Sequence, residues 1–225
     1  MRKFLSTAAA LLVMITCLLT AVDTMCFMHP FYSYEYKKGA QAEKIGMSDE
    51  GLMDATVTLL DYLQDKRDDI LVSTEVNGTM REVYNERETK HMVDVKKLYQ
   101  NAITARNLMA VAAAVILIAL YFMNKNSYFT FLWDGWKNAA LLMGLFVLFI
   151  AIWCIVDFNA FWTQFHQTFF DNDLWLLDPN TSIMINMFPE SFFFDIVASI
   201  IIVLVIVCGL ITWLLSFMKK KECLA

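Results

Sequence analysis

Four long apolar runs leave this chain few folds to choose from. They are Phe4–Phe27, Asn107–Met123, Ala139–Val156 and Ile196–Met218, and the last three contain no Asp, Glu, Lys or Arg. About 20 apolar residues carry a helix across the roughly 30 Å hydrocarbon core of a bilayer. Every backbone N–H and C=O must find its partner inside such a segment, and an isolated segment manages that only as a helix. Hydrophobic residues make up 58% of the 225, above the half-apolar level of a soluble domain, so the excess belongs in lipid. The expected fold is an all-α membrane protein with four transmembrane helices, a helical extracytoplasmic domain and an aromatic interfacial loop.

The expected organisation is a first span over 4–28, an extracytoplasmic helical domain over 29–106, and a second span over 107–123. A cytoplasmic loop over 124–138, a third span over 139–157 and an aromatic extracytoplasmic or interfacial loop over 158–194 follow. The fourth span covers 195–218 and a cytoplasmic tail covers 219–225. The first run is longer than a typical signal-peptide core and no small-x-small cleavage site follows it, so an uncleaved helix is expected. Lys or Arg occurs at the N-terminus, in the Asn124–Lys137 loop and at Lys219-Lys220-Lys221, whereas Asp157–Asp195 has none and carries six acids. The positive-inside rule then puts both termini in the cytoplasm and the acidic loop outside. The eleven Lys/Arg of His29–Arg106 do not oppose this, because long loops translocate largely regardless of charge. A net charge of −5 gives no reason to expect nucleic acid as a partner. The five cysteines have no framework spacing, so disulfides are not expected.

Within 29–106, Ser48-Asp49-Glu50 reads as a helix start, a hydroxyl N-cap followed by acids in the first turn. Leu52, Leu59, Leu60 and Leu63 give that helix one apolar face, and Asn77-Gly78 is a turn. Asn85 with Glu88 resembles a capping box. The helix after it, Glu86 to about Ala102, aligns Met92, Val95, Tyr99 and Ala102. The 158–194 loop is rich in Phe and Trp, with Phe158, Phe161, Phe165 and Phe169 at helical spacing. Such a helix lies at the headgroups or folds back among the spans.

Two histidines carry the candidate chemistry. His166 sits on the aromatic helix between Trp162 and Phe170; by itself it reads as a wet ring in an interfacial belt, and the surrounding acids and amides with no compensating base raise a functional reading. His91 has Glu88 and Asp94 three residues to either side, a spacing that also suits a solvated charged face. A carboxylate beside an imidazole can fix its tautomer and raise its basicity. His29, just before Pro30, reads as an interface residue. Joining the two histidines raises a geometric conflict. An unbroken helix would put His91 roughly 24 Å along its axis from Asn107. A shared site therefore requires a break over Asn101–Asn107, where Asn101, Thr104 and Asn107 weaken helix propensity, or an aromatic loop that rises to meet His91. Either way the rings should lie within about 10 Å of each other.

Three strings together resemble the bacterial lipoprotein intramolecular transacylase (Lit) family. They are Glu88-Thr89-Lys90-His91-Met92-Val93-Asp94-Val95-Lys96, Phe165-His166-Gln167-Thr168-Phe169-Phe170-Asp171-Asn172-Asp173-Leu174-Trp175, and Met187-Phe188-Pro189-Glu190. The four-span layout is similar too. The resemblance implies an acyltransferase without a metal or other cofactor, in the bacterial cell membrane. Its partners would be diacylated lipoproteins and the phospholipid bilayer. It would move the sn-2 acyl chain of a diacylglyceryl-cysteine to the α-amine of the same cysteine, giving the lyso-form. His91 and His166 take the catalytic positions, facing the outer leaflet. Glu88, Asp94, Asn172 and Trp175 are expected to support and orient them; Trp162, Phe165, Phe169 and Phe170 are expected to contact substrate lipid. Ser182 departs from the pattern, standing where an acid commonly follows the Asp-Pro turn. The residues leave two other readings open: a membrane metallohydrolase using His91, Asp94 and His166, and a non-enzymatic transporter or assembly partner.

Overall fold

The computed structural model describes residues 2–224. Its helices are α1 (Arg2–Cys26), α2 (His29–Gly39), α3 (Gln41–Ile45), α4 (Asp49–Leu63), α5 (Glu86–Met123), α6 (Tyr128–Val156), α7 (Phe158–Phe169), α8 (Ile183–Met187) and α9 (Glu190–Leu224). A short hairpin, β1 (Ser73–Val76) and β2 (Thr79–Glu82), separates α4 from α5. The chain divides into two compact units. One comprises residues 1–24, 102–156 and 197–225, and the other residues 25–101 and 157–196.

The first unit holds the four apolar cores, and each helix is long and apolar enough to cross a membrane. Three of those helices outrun their apolar cores: α5 begins at Glu86, α6 at Tyr128, and α9 runs from Glu190 to Leu224. Small residues set the α1–α6 packing. A Cβ on Gly135 would lie 2.4 Å from the Ser6 carbonyl carbon, so only glycine permits this approach. Four residues on, fully buried Ala139 joins Ala10, Met14 and Trp136 in one cluster. This is the small-xxx-small device by which membrane helices gain van der Waals contact, since lipid tails offer no hydrophobic incentive to pack. Trp136 Nε1 donates to Thr212 Oγ1 at 2.7 Å, bringing in α9. At the far end of α9 the Glu222 carboxylate accepts from the N–H groups of Phe129 and Thr130 at 2.9 and 2.8 Å and from the Thr130 hydroxyl. It thereby caps orphan donors at the start of α6. Arg106 pairs with Asp23 at 2.6 Å and ties α5 to α1. Val111, Val115, Leu141, Leu145, Ile202 and Ile206 stay exposed, as lipid-facing side chains must.

The second unit packs around aromatic rings. Tyr32, Tyr36, Phe188 and Phe192 are all buried, with ring centroids between 5.2 and 6.4 Å apart. The buried hydroxyls are satisfied: Tyr36 pairs with Thr56 at 2.7 Å and Tyr84 donates to the Ala55 carbonyl at 2.8 Å. Ser48 caps α4 as its sequence predicts, accepting from Gly51 N at 3.0 Å, and Leu52, Leu59 and Leu60 are buried. The Asn77-Gly78 turn has positive φ at both residues (51° and 79°), the geometry that closes a two-residue hairpin. Of the two routes to a shared site, a break over Asn101–Asn107 is not the one taken: α5 is one helix from Glu86 to Met123.

The close α1–α6 contact predicts two outcomes that thermal unfolding in detergent will separate. Gly135→Leu should lower the melting temperature by about 5 °C or more, the cost of overpacking a tight interface. Gly144→Leu, where a Cβ meets nothing within 4 Å, should shift it by no more than about 2 °C.

Candidate active site

The site begins with the first turn of α5. Asn85 Oδ1 accepts from Glu88 N at 3.0 Å while Glu88 Oε2 accepts from Asn85 N at 2.6 Å, completing the reciprocal capping box. The other oxygen, Oε1, accepts from Met184 N at 3.0 Å and from the Ser182 hydroxyl. Glu88 is fully buried, and Ser182 caps α8 by accepting from Ile185 N at 3.2 Å. One carboxylate thus starts α5 and fastens the 182–187 segment to it. Asn186 secures the same loop, donating to the carbonyls of Pro179 and Ser182 at 2.7 and 2.9 Å.

One turn beyond Glu88, His91 is 7% exposed, and its Nδ1 is buried without a hydrogen-bond partner. Neither Glu88 nor Asp94 bonds that nitrogen, contrary to the expectation that they would fix its tautomer. Asp94 Oδ2 instead accepts from Asn172 Nδ2 at 2.9 Å.

His166 lies in the last turn of α7, a helix capped by Asp157, which accepts from Ala160 N at 2.9 Å. His166 Nδ1 sits 2.8 Å from the Trp162 carbonyl. A carbonyl only accepts, so Nδ1 carries the hydrogen and the neutral ring presents a bare Nε2. The two imidazole centroids are 6.0 Å apart at 33°. They meet although α5 is unbroken, because α7 and the turn after it reach His91 within the second unit.

Aromatic rings enclose the pair. Phe170, expected as a lipid contact, is buried and forms the wall common to both histidines, at 5.2 Å from His91 and 5.6 Å from His166. Trp175 stacks on His166 at 4.8 Å and 29°, and Trp162 meets it edge-on at 5.0 Å. Phe165 stacks on Trp162 at 5.3 Å, and Phe169 is 52% exposed. Desolvation holds the His91 imidazole down at about 4; the neighbouring His166 and Arg87 push the same way, and Asp94 opposes them. Burial also lowers His166, against the pull of the Trp162 carbonyl. At neutral pH both rings are neutral.

Arg87 escaped the sequence reading. It pairs with Asp173 at 3.3 Å and donates to the Asp173 carbonyl. The available signal was its place four residues before His91, on the same helix face. Among the described residues, no three His, Cys, Asp or Glu side chains gather as a metal site, so His91, Asp94 and His166 do not make a 2-His-1-carboxylate set.

The lipoprotein intramolecular transacylase Lit family model matches residues 7–193. No curated protein matches the chain. Among solved structures, the in meso structure of the membrane-integral lipoprotein intramolecular transacylase Lit from Bacillus cereus is similar, with a TM-score of 0.79 at 17% identity over 98% of each chain. Structures of that protein carrying a histidine-to-arginine or a histidine-to-alanine substitution give TM-scores of 0.73 and 0.76. Identities there are 16% and 17%, over 99% and 100% of this chain and 95% and 96% of theirs. Those likenesses establish the fold, and the family model covers most of the sequence: the chain belongs to the lipoprotein intramolecular transacylase Lit family.

Proposed function

We propose that His91 and His166 act together on a diacylglyceryl-cysteine lipoprotein, transferring its sn-2 acyl chain to the α-amine of the same cysteine. The observation that carries this reading is the pair of neutral, buried imidazoles 6.0 Å apart, one with an unpaired Nδ1 and the other with a bare Nε2. The α-amine has a pKa near 8 in water, so it first gives its extra proton to solvent. The free amine attacks the ester carbonyl carbon, and His166 Nε2 takes one of its two N–H protons as the C–N bond forms, leaving the other on the amide nitrogen. His91, still neutral at this pH, donates an N–H to the oxyanion; a neutral imidazole is the electrophile that a depressed pKa provides. The intermediate collapses with loss of the C–O bond, and the proton held on His166 passes to the departing glycerol oxygen. The products are an amide and a free sn-2 hydroxyl, with no water consumed. Amine and ester share one molecule, so holding it folded supplies much of the rate through proximity.

The supporting roles follow the contacts. Glu88 fixes where α5 begins and hence where His91 stands. Asn172 and Trp175 belong to the turn beside His166, and Asp94 on α5 accepts from Asn172 and holds that turn. Trp162, Phe165 and Phe169 offer an apolar face for acyl chains, and Trp162 and Phe165 bring that face against His166 at 5.0 and 5.6 Å. We further propose cytoplasmic termini and an active site facing the outer leaflet of the bacterial cell membrane. The basic residues at both ends and in the Asn124–Lys137 loop support this. So does the Glu222 cap on α6, since it keeps the C-terminal tail beside that loop.

Mass spectrometry of a reporter lipoprotein's N-terminal lipopeptide tests the chemistry. The chain should convert the diacyl form with a free amine into the N-acylated lyso-form. His91→Ala and His166→Ala should each reduce the rate by at least about 100-fold without loss of membrane insertion. Full activity in either variant would remove that residue from the mechanism. For topology, reporters fused after Met218 should be protected from external protease while those inserted within Ser48–Arg106 are accessible. An accessible C-terminus would reverse the orientation.

A further inference from the structure

The turn after α7 is held to α5 by two clasps that straddle His91. Arg87, four residues before it, pairs with the Asp173 carboxylate and carbonyl. Asp94, three residues after it, accepts from Asn172 Nδ2 at 2.9 Å. The turn is internally braced: Leu174 N donates to Asn172 Oδ1 at 3.0 Å and Trp175 Nε1 donates to the Asn172 carbonyl at 2.9 Å. Asn172 therefore fixes the Trp175 indole while being fixed itself by Asp94. The indole ends face-on against His166, 4.8 Å away.

We propose that residues 171–175 form a strap, clasped to α5 by Arg87 and Asp94, that makes Trp175 a positioning residue: it holds the His166 ring in plane and keeps water from it. The proposal rests on the reading of His166 as the proton acceptor. The clasps suit such a role because they are weak. Asn172, Asp173 and Arg87 are exposed, and exposed pairs of this kind hold a segment only marginally. A strap of this strength opens to admit a bulky lipopeptide and closes over the reacting groups. Without the strap, His166 would keep its bond to the Trp162 carbonyl and lose a wall, and solvent would reach its basic nitrogen.

The charged groups around His166 are few. On α5, His91 faces it, with Arg87 and Asp94 acting on His91, and Asp171 and Asp173 lie in the strap. Helix α7 has no other charged side chain, and on α9, Glu190 and Asp195 flank Phe193, which stacks on Trp162. Asp195 is paired with Lys38.

An exchange of partners tests the strap. Asn172→Asp faces one carboxylate with another and opens the clasp; adding Asp94→Asn restores a donor–acceptor pair at unchanged net charge. The readout is the titration of the histidine ring signals by NMR in detergent, feasible because the chain has three histidines. In the unaltered protein His166 should titrate below 6.5. In Asn172→Asp it should rise toward 6.5 as the ring is hydrated, and in the double variant it should return. An unchanged His166 titration in Asn172→Asp would overturn the proposal. So would an equal rise in single and double variants, which would mark the new charge, and not the strap, as the cause. Lyso-lipoprotein formation measured in parallel should fall about fivefold in the single variant and recover in the double one, the scale of a weak surface clasp. Absence of product from the unaltered protein would count against the proposed reaction and leave the titration to judge the strap.

Discussion

The buried carboxylate of Glu88 is the interaction on which the rest of the site depends. It receives hydrogen bonds from Asn85 N, Met184 N and the Ser182 hydroxyl, so α5, the loop before α8 and the start of α8 share a single anchor. Removing it would strand two buried donors, Met184 N and the Ser182 hydroxyl, at about 1–3 kcal/mol each. Because His91 follows by one helical turn, the anchor also sets the position of the imidazole. The same contact gives a physical account of a serine at position 182. A second carboxyl at hydrogen-bond distance from Glu88 would have to share a proton with it. The serine hydroxyl supplies a donor and needs no such sharing.

Local signals carried much of the fold. Ser48, and Asn85 with Glu88, each mark a helix start by a short-range bond, and each bond is formed. The helical spacing of Phe158, Phe161, Phe165 and Phe169 becomes α7. What stayed hidden depends on contacts between distant parts of the chain. Asn101, Thr104 and Asn107 argue for a break by propensity, yet α5 runs through them. Packing overrides propensity here: Gln100 bonds the Leu63 carbonyl at 2.8 Å, and Arg106 pairs with Asp23. The hairpin was legible only as its Asn77-Gly78 turn, since Thr79–Glu82 is exposed throughout and has no apolar alternation to read. Arg87 meets Asp173 across 86 residues of chain, a separation that no spacing rule reaches.

The electrostatics of the pair follow from its enclosure. Burial among aromatic walls outweighs the pull of Asp94 on His91, so each ring resists protonation, and a proton on His166 makes a proton on His91 harder still. Two neutral imidazoles can divide the work, one accepting a proton while the other donates a hydrogen bond. Nothing in this division calls for a nucleophile from the protein: His166 Nδ1 is bonded to the Trp162 carbonyl and His91 Nδ1 has no partner, so neither of these nitrogens activates a serine or cysteine. Direct passage of the acyl group from ester oxygen to amine is the simplest chemistry that such a site supports.

That passage makes one demand: the acyl chain and the amine that receives it belong to the same molecule. A crossover experiment with the purified protein measures this directly. One reporter lipoprotein carries an isotope-labelled sn-2 chain; a second, unlabelled there, carries a peptide of different mass. Mixed and converted together, they should give labelled N-acyl product on the first peptide alone. Label on the second peptide would contradict transfer within one molecule.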